Sequence, residues 1–285
     1  MRILTLGSSG FVGSFLSKHP FISSTDQISQ PSRLELTELG DGSFSLGVER
    51  VITTLRPDIV LNLVAQTDIK YCSEHALESS LVNVSLPIRI AEVLPPTSLL
   101  IQVSSDAVFG AADPPYAVNS EPCPTNEYGN QKMRAEKGVA EIRSNFLILR
   151  GSFFGLSSGG RLGTLEFFTR ALSADREVPG YLDYINNPIS LFDLRDALQK
   201  CVENRNQGIL HLGSLGSISK YDFGVLVAKI LGTPTSLVQP TLSPIGFNSH
   251  GGLNLTLDSG GSWATLGLDQ PRVEAGVIKS LDEFK

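Results

Sequence analysis

The chain has 285 residues, 41% apolar and 18% charged, with a formal net charge of −6. A charged share below the ~25% of average soluble proteins, with a mean hydropathy of +0.07, excludes a disordered chain and predicts a sizeable core. The negative balance and scattered Lys and Arg exclude a general basic field for nucleic acid or anionic lipid, leaving room for a local pocket that takes one small anion.

In chain order, Arg2–Leu6 reads as a buried strand running into the glycine turn Gly7-Ser8-Ser9-Gly10-Phe11-Val12-Gly13 and then a helix. Phe21-Ile22 is read as a weak second strand. Val48–Leu55 has helical spacing and stops at Arg56-Pro57, where proline disfavours helix in the residue before it. Apolar runs at 58–64, 98–104 and 146–150 read as strands, separated by helices over Leu77–Leu94 and Asn126–Ile142, the latter capped at Thr125 or Asn126. Further helices are expected near Thr164–Leu172, Leu191–Glu203 and Lys220–Leu231, with a strand at Ile209–Leu212. Apolar strands alternating with helices imply an α/β fold of the Rossmann type, a doubly wound parallel sheet covered on both faces. We assign 1–152 to a dinucleotide-binding domain and 153–285 mainly to a substrate-binding region, with about 186–212 returning to the Rossmann core.

No apolar stretch reaches the ~18–20 residues of a membrane span, and glycine and serine interrupt the first apolar run too early for a signal peptide. Cys72, Cys123 and Cys201 are far apart and unlike metal-ligand pairs. Reduced thiols, a cytoplasmic location and no metal site are expected.

Glycine turns between a strand and a helix suit phosphate binding, because glycine permits the turn and a close approach, and the helix N-terminus offers amides. Gly7, Ser9, Gly10, Phe11, Val12 and Gly13 are accordingly candidates for holding a dinucleotide. The spacing is G-x-x-G-x-x-G rather than the commoner G-x-G-x-x-G. At the expected end of the second strand, Asp26 suits an NAD ribose and Ser23 with Ser24 a 2′-phosphate, so NADH and NADPH both stay open, NADPH favoured.

Tyr128 and Lys132 are four apart on one helix and share a face. An ammonium beside a phenol favours the phenolate and lowers a pKa that is otherwise ~10. Ser104-Ser105-Asp106 ends the preceding apolar strand, at the sheet edge where ligands bind, and Ser105 is either a strand-end cap or a hydrogen-bond donor to a carbonyl.

Together these residues resemble the extended short-chain dehydrogenase/reductases, and within them the dTDP-4-dehydrorhamnose reductase family. Arg56-Pro57-Asp58 through Asn62, Ala65 and Thr67 resembles the family's R-P-D-x-V-x-N-x-A-A-x-T, and Asn83-Val84 with Pro87 its N-V-x-x-P. Ser104–Phe109 resembles S-T-D-Y-V-F, and Tyr128-Gly129 through Lys132 with Ala135-Glu136 resembles Y-G-x-x-K-x-x-G-E. The likeness covers about residues 1–230 and is strongest between 56 and 152. Departures fall on the substrate side: Phe153 stands where the family has an indole, an N-F pair is lost around Leu165-Glu166-Phe167, and Phe11 replaces a glutamine.

The resemblance implies NADPH- or NADH-dependent reduction of the 4-keto group of a nucleotide-linked, dTDP-type, 6-deoxyhexulose, by a possible homodimer that contacts neither nucleic acid nor membrane. Tyr128 would be the general acid, Ser105 would hold the developing oxyanion, and Lys132 would tune Tyr128 and hold the nicotinamide ribose. Ala65, Gln66 and Thr67 would flank the nicotinamide, Ser105, Asp106, Phe153 and Arg161 would meet the substrate, and Asn83 would either position Lys132 or pack a helix. Ala107 stands where a 4,6-dehydratase carries its glutamate, which argues against that activity. A nucleotide-sugar epimerase remains an alternative. So does a dinucleotide-binding regulatory subunit without turnover, of the methionine adenosyltransferase β type.

Overall fold

The computed structural model describes residues 1–22, 27–29, 44–110, 112–156, 162–244 and 253–283. Its strands are β1 (Arg2–Leu6), β2 (Gln27–Ser29), β3 (Ile59–Asn62), β4 (Leu99–Val103), β5 (Phe146–Gly151), β6 (Phe153–Phe154), β7 (Val178–Tyr181), β8 (Tyr184–Asn186), β9 (Ile189–Ser190), β10 (Gly208–Leu212), β11 (Ile218–Ser219), β12 (Val238–Thr241) and β13 (Leu253–Asn254). Six of them form one parallel sheet in the order β2-β1-β3-β4-β5-β10.

Alternation along the strands sends side chains to two cores. Ile3, Ile59, Leu61, Leu99 and Ile101 pack on one face with helix Leu191–Asn204, where Leu194, Ala197, Leu198 and Cys201 are buried. Leu4, Leu6, Val60 and Leu100 pack on the other, against Val48, Ile52, Leu86, Ile90 and Val139. A sheet buried on both faces explains why its strands read as apolar throughout. The order reverses between β1 and β3, so the turns that follow these two strands diverge to opposite faces and leave a crevice at the sheet's carboxyl edge.

The second strand is Gln27–Ser29, not Phe21-Ile22; the Phe21 side chain instead enters the core beside Phe15 and Leu16. A strand of three residues, paired among the described residues to β1, has too little pattern to announce itself. Ser23, Ser24 and Asp26 lie outside the described residues. The helical stretch expected over Leu77–Leu94 is three pieces: an α-helix at Ala76–Ser80, a π-helical turn at Leu81–Ser85, and an α-helix at Leu86–Val93.

After β5 the chain builds a smaller unit beside the crevice. Helices Thr164–Ser173, Lys220–Leu231 and Val273–Asp282 enclose Leu165, Phe168, Phe223, Val227 and Val277, alongside the β7–β12 pair. Strand β8 pairs with β11 and β13, and β6 with β9. Strand β10 returns to the edge of the main sheet beside β5.

Candidate active site

The glycine turn leaves β1 through Gly7 at φ +90°, a region that favours glycine, and a Cβ there would stand 3.0 Å from the backbone of Leu63 and Val64. At Gly13 a Cβ would lie 2.1 Å from the Gly7 carbonyl oxygen, so helix Phe11–Lys18 packs onto the turn itself. Gly7 and Gly13 thus shape the turn, Ser9 sits exposed on it, and Gly10, Phe11 and Val12 line a cavity of about 430 Å³. Gly10 caps the helix without a side-chain hydrogen bond, and the first turn holds no acidic residue. The arrangement fits a dinucleotide pyrophosphate at this helix end.

Across the crevice Leu63, Ala65 and Thr67 line the same cavity. Gln66 acts differently: its backbone N–H donates to Asn83 Oδ1 at 2.8 Å and its carbonyl accepts from Asn83 Nδ2 at 2.9 Å. Asn83 also donates to Gln131 Oε1 at 2.8 Å, so it clamps the loop after β3 to the helix that carries Lys132.

Ser105 and Asp106 follow β4, and Tyr128 and Lys132 project from helix Glu127–Ile142, whose cap Asn126 accepts from the Gly129 N–H. All four line the cavity. Gly129 lets this helix close on the Ser105 turn, since a Cβ there would meet the Ala107 carbonyl at 2.0 Å. Lys132 donates from Nζ to the Val103 carbonyl at 2.8 Å. Burial pushes its ammonium down to about 8, with Glu136 one turn along opposing that shift. Ser105 accepts from the Ala107 N–H and donates to Asp106 Oδ1, both at 3.1 Å, so it caps the turn and faces the cavity at once. Burial raises the Asp106 carboxyl, against hydrogen bonds from Asn186 and Ser105 and the charge of Lys220.

Phe153 lines the cavity, as do Ser152, Leu162, Gly163 and Thr164, while Arg161 lies outside the described residues. A Cβ on Gly163 would lie 2.7 Å from the Phe11 ring, which places the aromatic that departs from the family pattern against the substrate-side loop. Thr67, Ser152, Leu162, Gly163 and Thr164 also line a second cavity of about 530 Å³, continued by Phe167, Pro179, Tyr181, Tyr184 and Lys220. The sequence reading missed Tyr184 and Lys220. Their signal was faint: a lysine opening a helix, where the dipole favours an acid.

One turn beyond Lys132, Glu136 forms a buried pair with Arg150: the guanidinium donates from Nη2 to Oε2 at 2.7 Å and from Nε to the same carboxylate at 3.1 and 3.2 Å. Arg150 also reaches the Val118 carbonyl and stands over the Phe109 ring. His211 is held beside it, driven down to about 4 by burial and by the Arg150 charge. Cys72, Cys123 and Cys201 are unpaired thiols. Among the described residues no helix is long and apolar enough to cross a membrane.

The RmlD substrate binding domain family matches residues 1–246. A probable low-salt glycan biosynthesis reductase of Haloferax volcanii is 27% identical over 202 residues, 68% of this chain and 67% of that protein. A dTDP-4-dehydrorhamnose reductase of Mycolicibacterium smegmatis is 28% identical over 64% of this chain, which spans only 57% of that protein's length. The Methionine adenosyltransferase 2 subunit beta of Xenopus tropicalis is 25% identical over 75% of this chain and 66% of its own. In three dimensions the fold matches a Bacillus anthracis dTDP-4-dehydrorhamnose reductase in complex with NADP, with a TM-score of 0.87 over 99% of both chains at 21% identity.

Proposed function

The chain belongs to the RmlD substrate binding domain family, and from that premise we propose that it is an oxidoreductase that uses NADPH or NADH to reduce the 4-keto group of a nucleotide-linked 6-deoxyhexulose. The observation that carries this reading is the single cavity lined by the glycine turn, Ser105, Tyr128 and Lys132 at the point where the strand order reverses. Reductases of nucleotide sugars among the relatives support the substrate class, and the NADP-bound neighbour in the same fold supports the cofactor.

The reduced nicotinamide supplies the hydride. Tyr128 delivers the proton that the alkoxide then needs, at a position buried enough to exclude bulk water. Ser105 holds the same oxygen by turning its O–H away from Asp106, a contact long enough at 3.1 Å to be exchanged. Lys132, anchored on the Val103 carbonyl, puts a positive charge one helical turn from Tyr128 on the same face and would hold the nicotinamide ribose. Gly10 and the opening of helix Phe11–Lys18 would hold the pyrophosphate, and Phe153 would pack on the sugar. The unpaired thiols are consistent with work in the cytoplasm.

The test is absorbance at the reduced-nicotinamide band with NADPH, then NADH, and a dTDP-4-keto-6-deoxyhexose, with and without a 3,5-epimerase. Consumption of the cofactor is the expected result. Tight cofactor binding with no consumption across a panel of keto-sugars would instead support a regulatory subunit, the reading favoured by the likeness to the Xenopus β subunit.

A further inference from the structure

Lys220 sits where a lysine is disfavoured on three counts. It is the first residue of helix Lys220–Leu231, so its charge adds to the positive end of the helix dipole. Its environment opposes the charge, with burial driving the ammonium down to about 8 against the attraction of Asp106. Of its three N–H bonds, one reaches an oxygen among the described residues, Thr164 Oγ1 at 3.2 Å. The remaining support is the face of the Tyr184 ring, 5.2 Å from Nζ to centroid. Neither a helix cap nor a packed ion pair explains it, because Ser219 already caps the helix by accepting from the Asp222 N–H. Lys220 instead lines the second cavity.

The two cavities form one trough through the residues they share, Thr67, Ser152 and Leu162 to Thr164. At the inner end stand Tyr128, Ser105 and Asp106; at the outer end stand Phe167, Tyr181 and Pro179. Lys220 lines the outer cavity, close enough to Asp106 of the inner one for their charges to interact. Among the described residues that line the trough, the cations are Lys132 and Lys220, and Lys132 is already bonded to the Val103 carbonyl.

The geometry points to Lys220 as the residue that binds the diphosphate of a sugar nucleotide, setting the sugar against Tyr128 and the base against the aromatic outer end. This rests on the nucleotide-sugar reading above. An ammonium with Thr164 as its one hydrogen-bond partner among the described residues suits phosphate oxygens, and a bound dianion removes the electrostatic penalty that the free site carries.

The probes are dTDP, UDP and thymidine, titrated by calorimetry into the protein saturated with oxidised cofactor, for the wild type, Lys220→Gln and Lys220→Arg. Lys220→Gln is expected to weaken the nucleoside diphosphate ~10–100-fold, to leave thymidine and cofactor affinity unchanged, and to be partly rescued in Lys220→Arg. In the wild type the diphosphate affinity should fall as pH rises through about 8, and this fall should vanish in Lys220→Gln. The groups that face Lys220 are Asp106 and Tyr184, whose own shifts are both upward. Unchanged diphosphate affinity in Lys220→Gln overturns the assignment, as does an equal loss of thymidine, which would make Lys220 a support for the pocket wall. If the wild type binds cofactor but neither diphosphate, the nucleotide-sugar reading falls first and takes this one with it.

Discussion

The helix Glu127–Ile142 carries two ions one turn apart that the protein treats in opposite ways. Glu136 is enclosed with Arg150 in a paired, hydrogen-bonded network, each side chain 5% exposed or less. Lys132 is equally enclosed, yet its near contact is a carbonyl, and Glu136 offsets only part of the cost of burying it. The first arrangement matches donor to acceptor until little charge is left unanswered; the second holds a charge ready for a ligand. Complete pairing marks structure here, and incomplete pairing marks the cleft.

The comparison can be broken in four ways. The largest effect belongs to Tyr128→Phe, beside the unanswered charge, which should lower kcat/KM by ~10²–10⁴-fold while cofactor affinity holds. Reduction at the wild-type rate would remove Tyr128 from the acid role. On the paired side, Arg150→Met leaves the buried Glu136 carboxylate with the Ser104 hydroxyl but without its ion-pair partner and should cost ~3–5 kcal/mol in denaturant unfolding. The double change Arg150→Met with Glu136→Leu should recover most of that loss; a double variant as unstable as the single one would mean the pair is held by packing rather than charge.

Lys132→Met should do the reverse, abolishing turnover while raising stability at pH 7. The displacement from 10.5 to about 8 corresponds to on the order of 3 kcal/mol at most. A lower unfolding midpoint in Lys132→Met would contradict this. The smallest effect is in the pH profile. Between about 8 and 10.5 the unfolded chain keeps a proton on Lys132 that the folded protein releases. The unfolded state therefore binds more protons, and wild-type stability relative to Lys132→Met should climb through that window as pH rises. A flat difference would show that the ammonium is better solvated than its burial implies.

What could be read in advance was what lies close together along the chain. Gly7, Gly10 and Gly13 declare a strand-to-helix turn within seven residues, and Tyr128 and Lys132 declare one helix face. The parallel sheet was legible because its strands are buried on both sides and carry no polar alternation. The substrate side was not, because Lys220, Tyr184 and Asp106 come from three separate elements that only the completed fold brings into reach. Asn83 was half legible: the family resemblance singled it out, whereas its partner Gln66 lies 17 residues away and is met from a π-helical turn that the spacing does not show.

That π-helical turn holds more residues per turn than the α-helices on either side of it. In terms of chain alignment it is an insertion that the fold absorbed without a loop. Removing one residue from Leu81–Ser85 would restore an ordinary α-helix, while turning Asn83 off Gln66 in the loop after β3. A one-residue deletion there would thus act at a distance, on the far end of the Asn83 hydrogen bonds rather than on the helix itself.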